Sequence, residues 1–300
     1  MQNMDLFGDA MHICNIGDCE WNRDAVCIKG LQQGSIECKL QVKVPENVVS
    51  TGTRIDFSST QCNELNTKST SKGAQRKWKT SDNKFFLKER FYYEMRFWND
   101  DLVEVIASDV ANRFGFNAIK QQLGTIDGRN CSFSECWTDV KFLPFAKFDR
   151  EAQIKEFNTP ADRIKFALDL IYKKTGLDYK EYFTQMTIID RLVANEDRHL
   201  NNFGVFWNGK EYKQAPLFDF GLGMFETGTE YFGKSIEEAG KLVKQQPFGN
   251  WEESLEYLSG LVNIELNDFK VSNKYVFPNK LGREYFEKIM QQLGVQYENS

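Results

Sequence analysis

Along the first 60 residues the apolar positions alternate in short bursts, at 26–29 and 36–44, broken by Gly30, Gly34, Pro45 and Gly52; this texture predicts short strands and hairpins. From Ser58 to Asn83 the apolar residues thin out and Ser, Thr, Asn and Lys take over, which on composition alone predicts a loop or linker. Phe85, Phe86 and Leu87 then form a compact apolar run ending at Lys88, the pattern of a buried strand. From Asp100 the period lengthens: Leu102, Val105, Ile106, Val110 and Phe114 recur at offsets of three and four and Gly115 closes the run, as in an amphipathic helix with a glycine stop. Residues 118–148 return to strand texture, rich in aromatic side chains. Beyond Asp149 helical periodicity predominates, at 162–174, 179–192, 235–243, 251–264 and 281–293. There is no internal repeat. Strands with one helix, followed by helices, predict an α+β chain in two lobes, divided as a short β-rich segment (1–60), a β-rich lobe (61–148) and a helical lobe (149–300).

Composition narrows the classes. Of 300 residues, 41% are hydrophobic, 27% charged and 14% aromatic, enough to fill a globular core and too apolar for a disordered chain. The net charge of -5 argues against a broad phosphate-binding surface, so no direct nucleic-acid contact is expected. No run approaches the roughly 18 apolar residues of a membrane span, and the start lacks a basic stretch followed by an apolar block. These features predict a soluble, cytoplasmic protein without membrane contact. Four of the seven cysteines, Cys14, Cys19, Cys27 and Cys38, crowd the first 40 residues. With His12 they could ligate a metal, but their spacing matches no common zinc pattern, and reduced thiols are the expectation.

The candidate chemistry lies where an apolar helix end (Ile188, Ile189, Leu192, Val193) runs into Asn195-Glu196-Asp197-Arg198-His199-Leu200-Asn201-Asn202. An aspartate and an asparagine five residues apart in a loop suit phosphoryl transfer: the carboxylate orients an attacking hydroxyl and the amide oxygen ligates a hard cation. Downstream, Ala215-Pro216-Leu217-Phe218-Asp219-Phe220-Gly221 ends an apolar strand-like run in a carboxylate that would complete a magnesium site. Taken singly, the first cluster is a solvated loop and the second a chance triplet. It is their joint occurrence, in this order, that points to chemistry.

These motifs resemble those of the HipA-like kinases, serine/threonine kinases of bacterial toxin–antitoxin modules and their relatives. Asp197-x-His199-x-x-Asn202 is similar to the family's catalytic loop, and Ala215-Pro216-Leu217-Phe218-Asp219 to its metal-binding strand end. Gly73-Ala74-Gln75-Arg76-Lys77 is similar to its Gly-Ala-Gln-x-Lys phosphate loop. The polar linker then acquires a role, because backbone amides of a glycine-containing turn can cradle phosphate oxygens. A kinase also needs a fixed cation delivered from a rigid strand, which Lys88 fits, and an orienting carboxylate on the following helix. Glu104 suits the family's helix pattern best, with Glu94 as the second choice.

The resemblance implies a bilobal protein-kinase-like fold that binds ATP and Mg²⁺ and phosphorylates a serine or threonine of a protein substrate, with an antitoxin as a possible partner. Ser71, Lys72, Gly73, Ala74, Gln75, Lys77, Lys88 and Glu104 would hold the nucleotide. Asn202 and Asp219 would hold the metal, and Asp197 with His199 would be catalytic. The Asp-Arg-His order, also found in phosphoinositide kinases, places two candidate bases within two residues; the sequence does not separate them, and Asp197 is favoured. That order also leaves a lipid or small-molecule kinase as an alternative, and a pseudokinase interaction module is a third. Family members can phosphorylate a serine in their own phosphate loop; here the matching position is Thr70, beside Ser71.

Overall fold

The computed structural model describes residues 54–65, 75–93, 96–150, 152–266 and 275–295, together with the backbone of two short strands, β1 (Asn22–Arg23) and β2 (Val26–Cys27). The expected strand at 36–44 and the residues Cys14, Cys19, Cys38 and His12 lie outside the described residues.

After β3 (Ile55–Asp56), the stretch that composition marks as a linker contains strands β4 (Cys62–Glu64) and β5 (Lys77–Thr80), and β6 (Phe85–Glu89) follows. β4 and β5 escape a pattern search because they are only three and four residues long. Phe57, Trp78 and Leu87 join Ile126, Cys131 and Phe133 in a small core on one face of the sheet. A paired ribbon follows, β7 (Tyr92–Tyr93) with β8 (Arg96–Phe97), and then helix α1 (Asp100–Arg113). Strands β9 (Gln122–Ile126), β10 (Arg129–Glu135) and β11 (Lys141–Pro144) come next. Among the described residues the main sheet has the order β3-β9-β10-β6-β5-β4, all antiparallel except β3 with β9.

Helix α1 is covered on nearly every side. Val103, Ile106, Ala107 and Val110 face the large core, while Leu102 and Val105 meet Leu123 of β9. Gly115 stops it at φ 80°, a left-handed conformation that side-chain-bearing residues avoid.

The second lobe is built on α2 (Pro160–Thr175) and α3 (Lys180–Leu192). Thr159 caps α2 by accepting from the Asp162 amide at 3.1 Å, Pro160 opens it, and Gly176 ends it at φ 77°. Strands β12 (Gly204–Trp207) and β13 (Tyr212–Gln214) form a three-stranded sheet with β11, in the order β11-β12-β13. Gly204 is required there, because a Cβ would stand 2.2 Å from the Leu143 carbonyl oxygen. Helices α4 (Ile236–Leu242), α5 (Trp251–Ser259) and α6 (Lys280–Gln292) complete the lobe, with α3 packed between α5, α6 and α1. The expected helix at 251–264 stops at Ser259: Gly260 and Leu261 turn back onto Tyr257 and Leu258 instead of continuing the ladder. Phe183, Met186 and Ile189 of α3 are fully buried, each side chain contributing about 1.5–3 kcal/mol to the core. Among the described residues no helix is long and apolar enough to cross a membrane.

Candidate active site

The alternation of β6 decides what its lysine can reach. Leu87 points into the small core, so Lys88 points to the opposite face, towards α1 and the cleft. Its ammonium contacts Glu104 Oε1 at 2.9 Å and Asp219 Oδ1 at 2.8 Å. Burial alone would lower the Lys88 pKa, but Asp219 and Glu104 outweigh it and raise it well above the usual value. Glu104 is therefore the carboxylate of α1 that meets the lysine. Its other oxygen accepts the Phe220 amide at 3.0 Å, tying α1 to the strand end at Asp219. Glu94, the second choice, lies outside the described residues.

Lys77 of β5 is the direct cross-strand partner of Lys88, so two cations share the cleft face of the sheet. Burial and the neighbouring Lys88 lower the Lys77 pKa, while Asp219, Glu104 and Asp197 oppose the shift. Gln75 is turned towards the protein, its amide nitrogen donating to the Glu89 carbonyl and to Asp100 Oδ2. Ser71, Lys72, Gly73 and Ala74 lie outside the described residues, as does Thr70.

Beyond α3 the chain reverses at Ala194 (φ 49°) into the polar loop. Arg198 sits at its centre and is completely buried. Its Nε and Nη2 grip Asp190 of α3 at 2.9 Å, and its Nη1 donates to the carbonyls of Asn202 at 2.8 Å and Phe218 at 2.6 Å. The guanidinium lies over the Phe220 ring, 4.9 Å from its centroid. One side chain thus fastens the Asn202 and Asp219 backbones beside each other. Asn195 adds to the frame, donating to Asp190 at 2.7 Å and accepting the Asp197 amide at 3.2 Å.

Asp197 and His199 project from this frame and are 42% and 44% exposed, open to an incoming group. Burial raises the Asp197 pKa, His199 opposes that, and Asp219 adds to it. His199 Nδ1 accepts the Asn201 amide at 3.2 Å, which places the proton of a neutral ring on Nε2, 3.8 Å from Asp197 Oδ2. Burial would raise the Asp219 pKa as well, but Lys88 and Arg198 hold it well below the usual carboxylate range. Asn202 donates from its amide nitrogen to the Asp197 carbonyl at 2.8 Å, which leaves its side-chain oxygen as an acceptor. A carboxylate and an amide oxygen on adjoining backbones are a donor set that suits Mg²⁺, which takes few protein ligands and draws the rest from phosphates and water.

Asp219, Met224 and Phe225 all have positive φ (60°, 52° and 60°), and Gly223 between them lets the chain pass where a Cβ would be 2.4 Å from the Val193 carbonyl oxygen. Glu196, beside Asp197, accepts from Thr227 Oγ1, Tyr231 Oη and the Lys244 amide, anchoring the segment that follows. Trp137, Phe142, Phe206 and Phe218 form an edge-to-face cluster next to Asp219, with centroids 4.9–6.3 Å apart.

Sequence reasoning did not single out Arg198, Asp190, Glu196 or the aromatic cluster. Asp190 carried a signal, being a carboxylate set in the largely apolar helix end Ile188-Ile189-Asp190-Arg191-Leu192-Val193. Such a residue requires a buried partner.

No family model matches the sequence. Over 149 residues the chain is 28% identical to the serine/threonine-protein kinase CtkA of Helicobacter pylori, a match that spans 47% of this chain and 46% of that protein. The chain thus aligns with about half the length of this curated relative. The crystal structure of the Helicobacter pylori proinflammatory kinase CtkA superposes with a TM-score of 0.55 at 16% identity, covering 80% of this chain and 94% of that one. HipA from a Shewanella oneidensis toxin–antitoxin complex with HipB and operator DNA aligns at a TM-score of 0.38 and 13% identity, over 71% of this chain and 59% of that one. The chain is homologous to a serine/threonine-protein kinase and has the bilobal α+β fold of that kinase.

Proposed function

We propose that this chain is a HipA-like serine/threonine protein kinase that binds Mg-ATP between its lobes and transfers the γ-phosphate to a hydroxyl of a protein. The observation that carries the reading is the convergence of Glu104 and Asp219 on the Lys88 ammonium, at 2.9 and 2.8 Å, beside the loop bearing Asp197 and Asn202. An ammonium held by two carboxylates in a cleft, with its pKa displaced by them, is the kind of cluster that marks a functional-site candidate.

In this reading Lys88 and Lys77 meet the phosphates from the sheet face, and residues 71–74 supply backbone amides. The aromatic cluster around Trp137 offers an apolar wall to the base. Asn202 and Asp219 are the oxygen donors for Mg²⁺, which when bound neutralises phosphate charge. Asp197 accepts the proton of the acceptor hydroxyl as its oxygen bonds to the γ-phosphorus and the bond to the β–γ bridging oxygen breaks. His199, outside hydrogen-bonding distance of Asp197, supports the loop and the developing charge.

Thermal denaturation with and without Mg-ATP, followed by transfer of radiolabelled phosphate to the chain itself and to dephosphorylated casein, tests this. A stabilising shift that needs both Mg²⁺ and ATP, lost in Lys88→Met, is expected together with label on protein. Absence of both the shift and the label would refute the kinase reading, and a shift without label would favour an interaction module.

The hydroxyls of Thr70 and Ser71 are proposed autophosphorylation sites. A phosphate there adds about two negative charges beside those of ATP, so the modified chain should bind nucleotide more weakly. Mass spectrometry after incubation with Mg-ATP is expected to find phosphate on residues 69–71; an unmodified peptide would dispose of this mode of regulation.

A further inference from the structure

Gln75 belongs to the motif that resembles a phosphate loop, yet its amide nitrogen is already engaged by two protein acceptors. One is the Glu89 carbonyl at the end of β6, next to Lys88. The other is Asp100, the first residue of α1. Asp100 is 2% exposed, and its second oxygen accepts the Phe91 amide at 2.7 Å. The neighbouring Asp101 is held by Arg90 at 2.7 Å and by Arg54 at 2.8 Å. The start of α1 is thereby pinned to the ends of β5 and β6.

Glu104 lies four residues beyond Asp100, one helical turn further and on the same face. Gly221 confirms this shared face, since a Cβ added to it would stand 3.2 Å from both Asp100 Cβ and Glu104 Cγ. A continuous chain of contacts therefore runs from Gln75 through Asp100 and one turn of α1 to Glu104, and from there to Lys88 Nζ and the Phe220 amide.

We infer that Gln75 is a positioning residue, a latch whose bond to Asp100 couples the approach to β5 to the Lys88–Glu104 ion pair. Gln75 contributes to nucleotide binding through α1 and not by contact with phosphate. When the latch is closed, Glu104 is held in register with Lys88 and with the backbone at Phe220. When it is broken, α1 loses one of the anchors that fix its first turn, and the ion pair and the Glu104–Phe220 bond loosen together. The role in nucleotide binding rests on the proposed kinase function; the mechanical coupling does not.

The test uses the full chain, with Gln75→Ala, Asp100→Asn and the double variant. Amide hydrogen exchange of the nucleotide-free protein is read at Phe91, bonded to Asp100, and at Phe220, bonded to Glu104. Each single variant is expected to accelerate exchange at Phe220 about fivefold while Phe183 and Met186 in α3 are unchanged. Mg-ATP titration by calorimetry should show about tenfold weaker binding for each single variant, the effect expected of losing one buried hydrogen bond. The double variant should be no weaker than the singles to within about twofold, because both remove one linkage.

Unchanged exchange at Phe220 in Gln75→Ala would overturn the inference, and so would multiplicative losses in the double variant. Weaker Mg-ATP binding with unchanged exchange would likewise overturn it and make Gln75 a direct ligand. If the unmodified chain binds no Mg-ATP, the kinase reading fails, while exchange at Phe220 still decides the latch.

Discussion

Asp197→Asn is expected to lower the rate of phosphate transfer by about 10²- to 10⁴-fold, the usual contribution of a positioned general base, while Mg-ATP affinity changes little. The amide keeps the size of the side chain but cannot accept the hydroxyl proton. The Arg198 and Asn195 bonds that hold the loop do not involve the Asp197 carboxylate, so the loop should stay in place. Single-turnover transfer of labelled phosphate, with nucleotide affinity measured separately, reads the two effects apart. His199→Ala should cost less, because its Nδ1 is occupied by the Asn201 amide and its Nε2 stands 3.8 Å from the carboxylate. Full transfer by Asp197→Asn together with loss in His199→Ala would reverse the assignment.

The second large effect concerns stability. Arg198→Leu leaves Asp190 buried without its cation and removes the donor to two carbonyls, a change expected to cost about 3–5 kcal/mol. Both partners are essentially sealed from water, 0% and 1% exposed, so solvent screening does not soften the loss. Arg198→Lys should fail nearly as badly, since one ammonium cannot reproduce the planar fork that reaches Asp190, Asn202 and Phe218 at once. The double variant Asp190→Leu/Arg198→Leu should be more stable than Arg198→Leu alone, because no uncompensated charge remains. It should nevertheless transfer no phosphate, as the loop and strand end lose their common donor. Denaturant unfolding of the three variants measures the first comparison and labelled-phosphate transfer the second. Equal stability of the double and single variants would show that the pair is not the source of the loss.

The helices were legible in the sequence because their apolar positions recur at helical period. The structure adds the caps that set their ends: Thr159-Pro160 and Gly176 bracket α2, and Ser235 with Glu238 forms a capping box at α4. The lysine, the helix carboxylate and the two loop motifs were legible because their residue types and order are unusual in combination, and Lys88, Glu104 and Asp219 do meet. Strands β4 and β5 were not, since three or four residues are too few to establish a period. Arg198 reads as one more charge in a polar loop; only the fold brings Asp190 of α3, the Asn202 carbonyl and the Asp219 strand end around it. The acceptors of Gln75 were hidden for the same reason, since they lie 14 and 25 residues away along the chain.

The backbone around the acidic strand end has a thermodynamic consequence. Asp219, Met224 and Phe225 occupy left-handed conformations within seven residues, each at a cost of about 1–3 kcal/mol. Together these costs are comparable to a large part of the roughly 5–15 kcal/mol that stabilises a typical domain. A chain selected for durability alone would put glycine or asparagine at 224 and 225. This one carries bulky side chains there, so part of the stability supplied by its large core is offset at the acidic strand end.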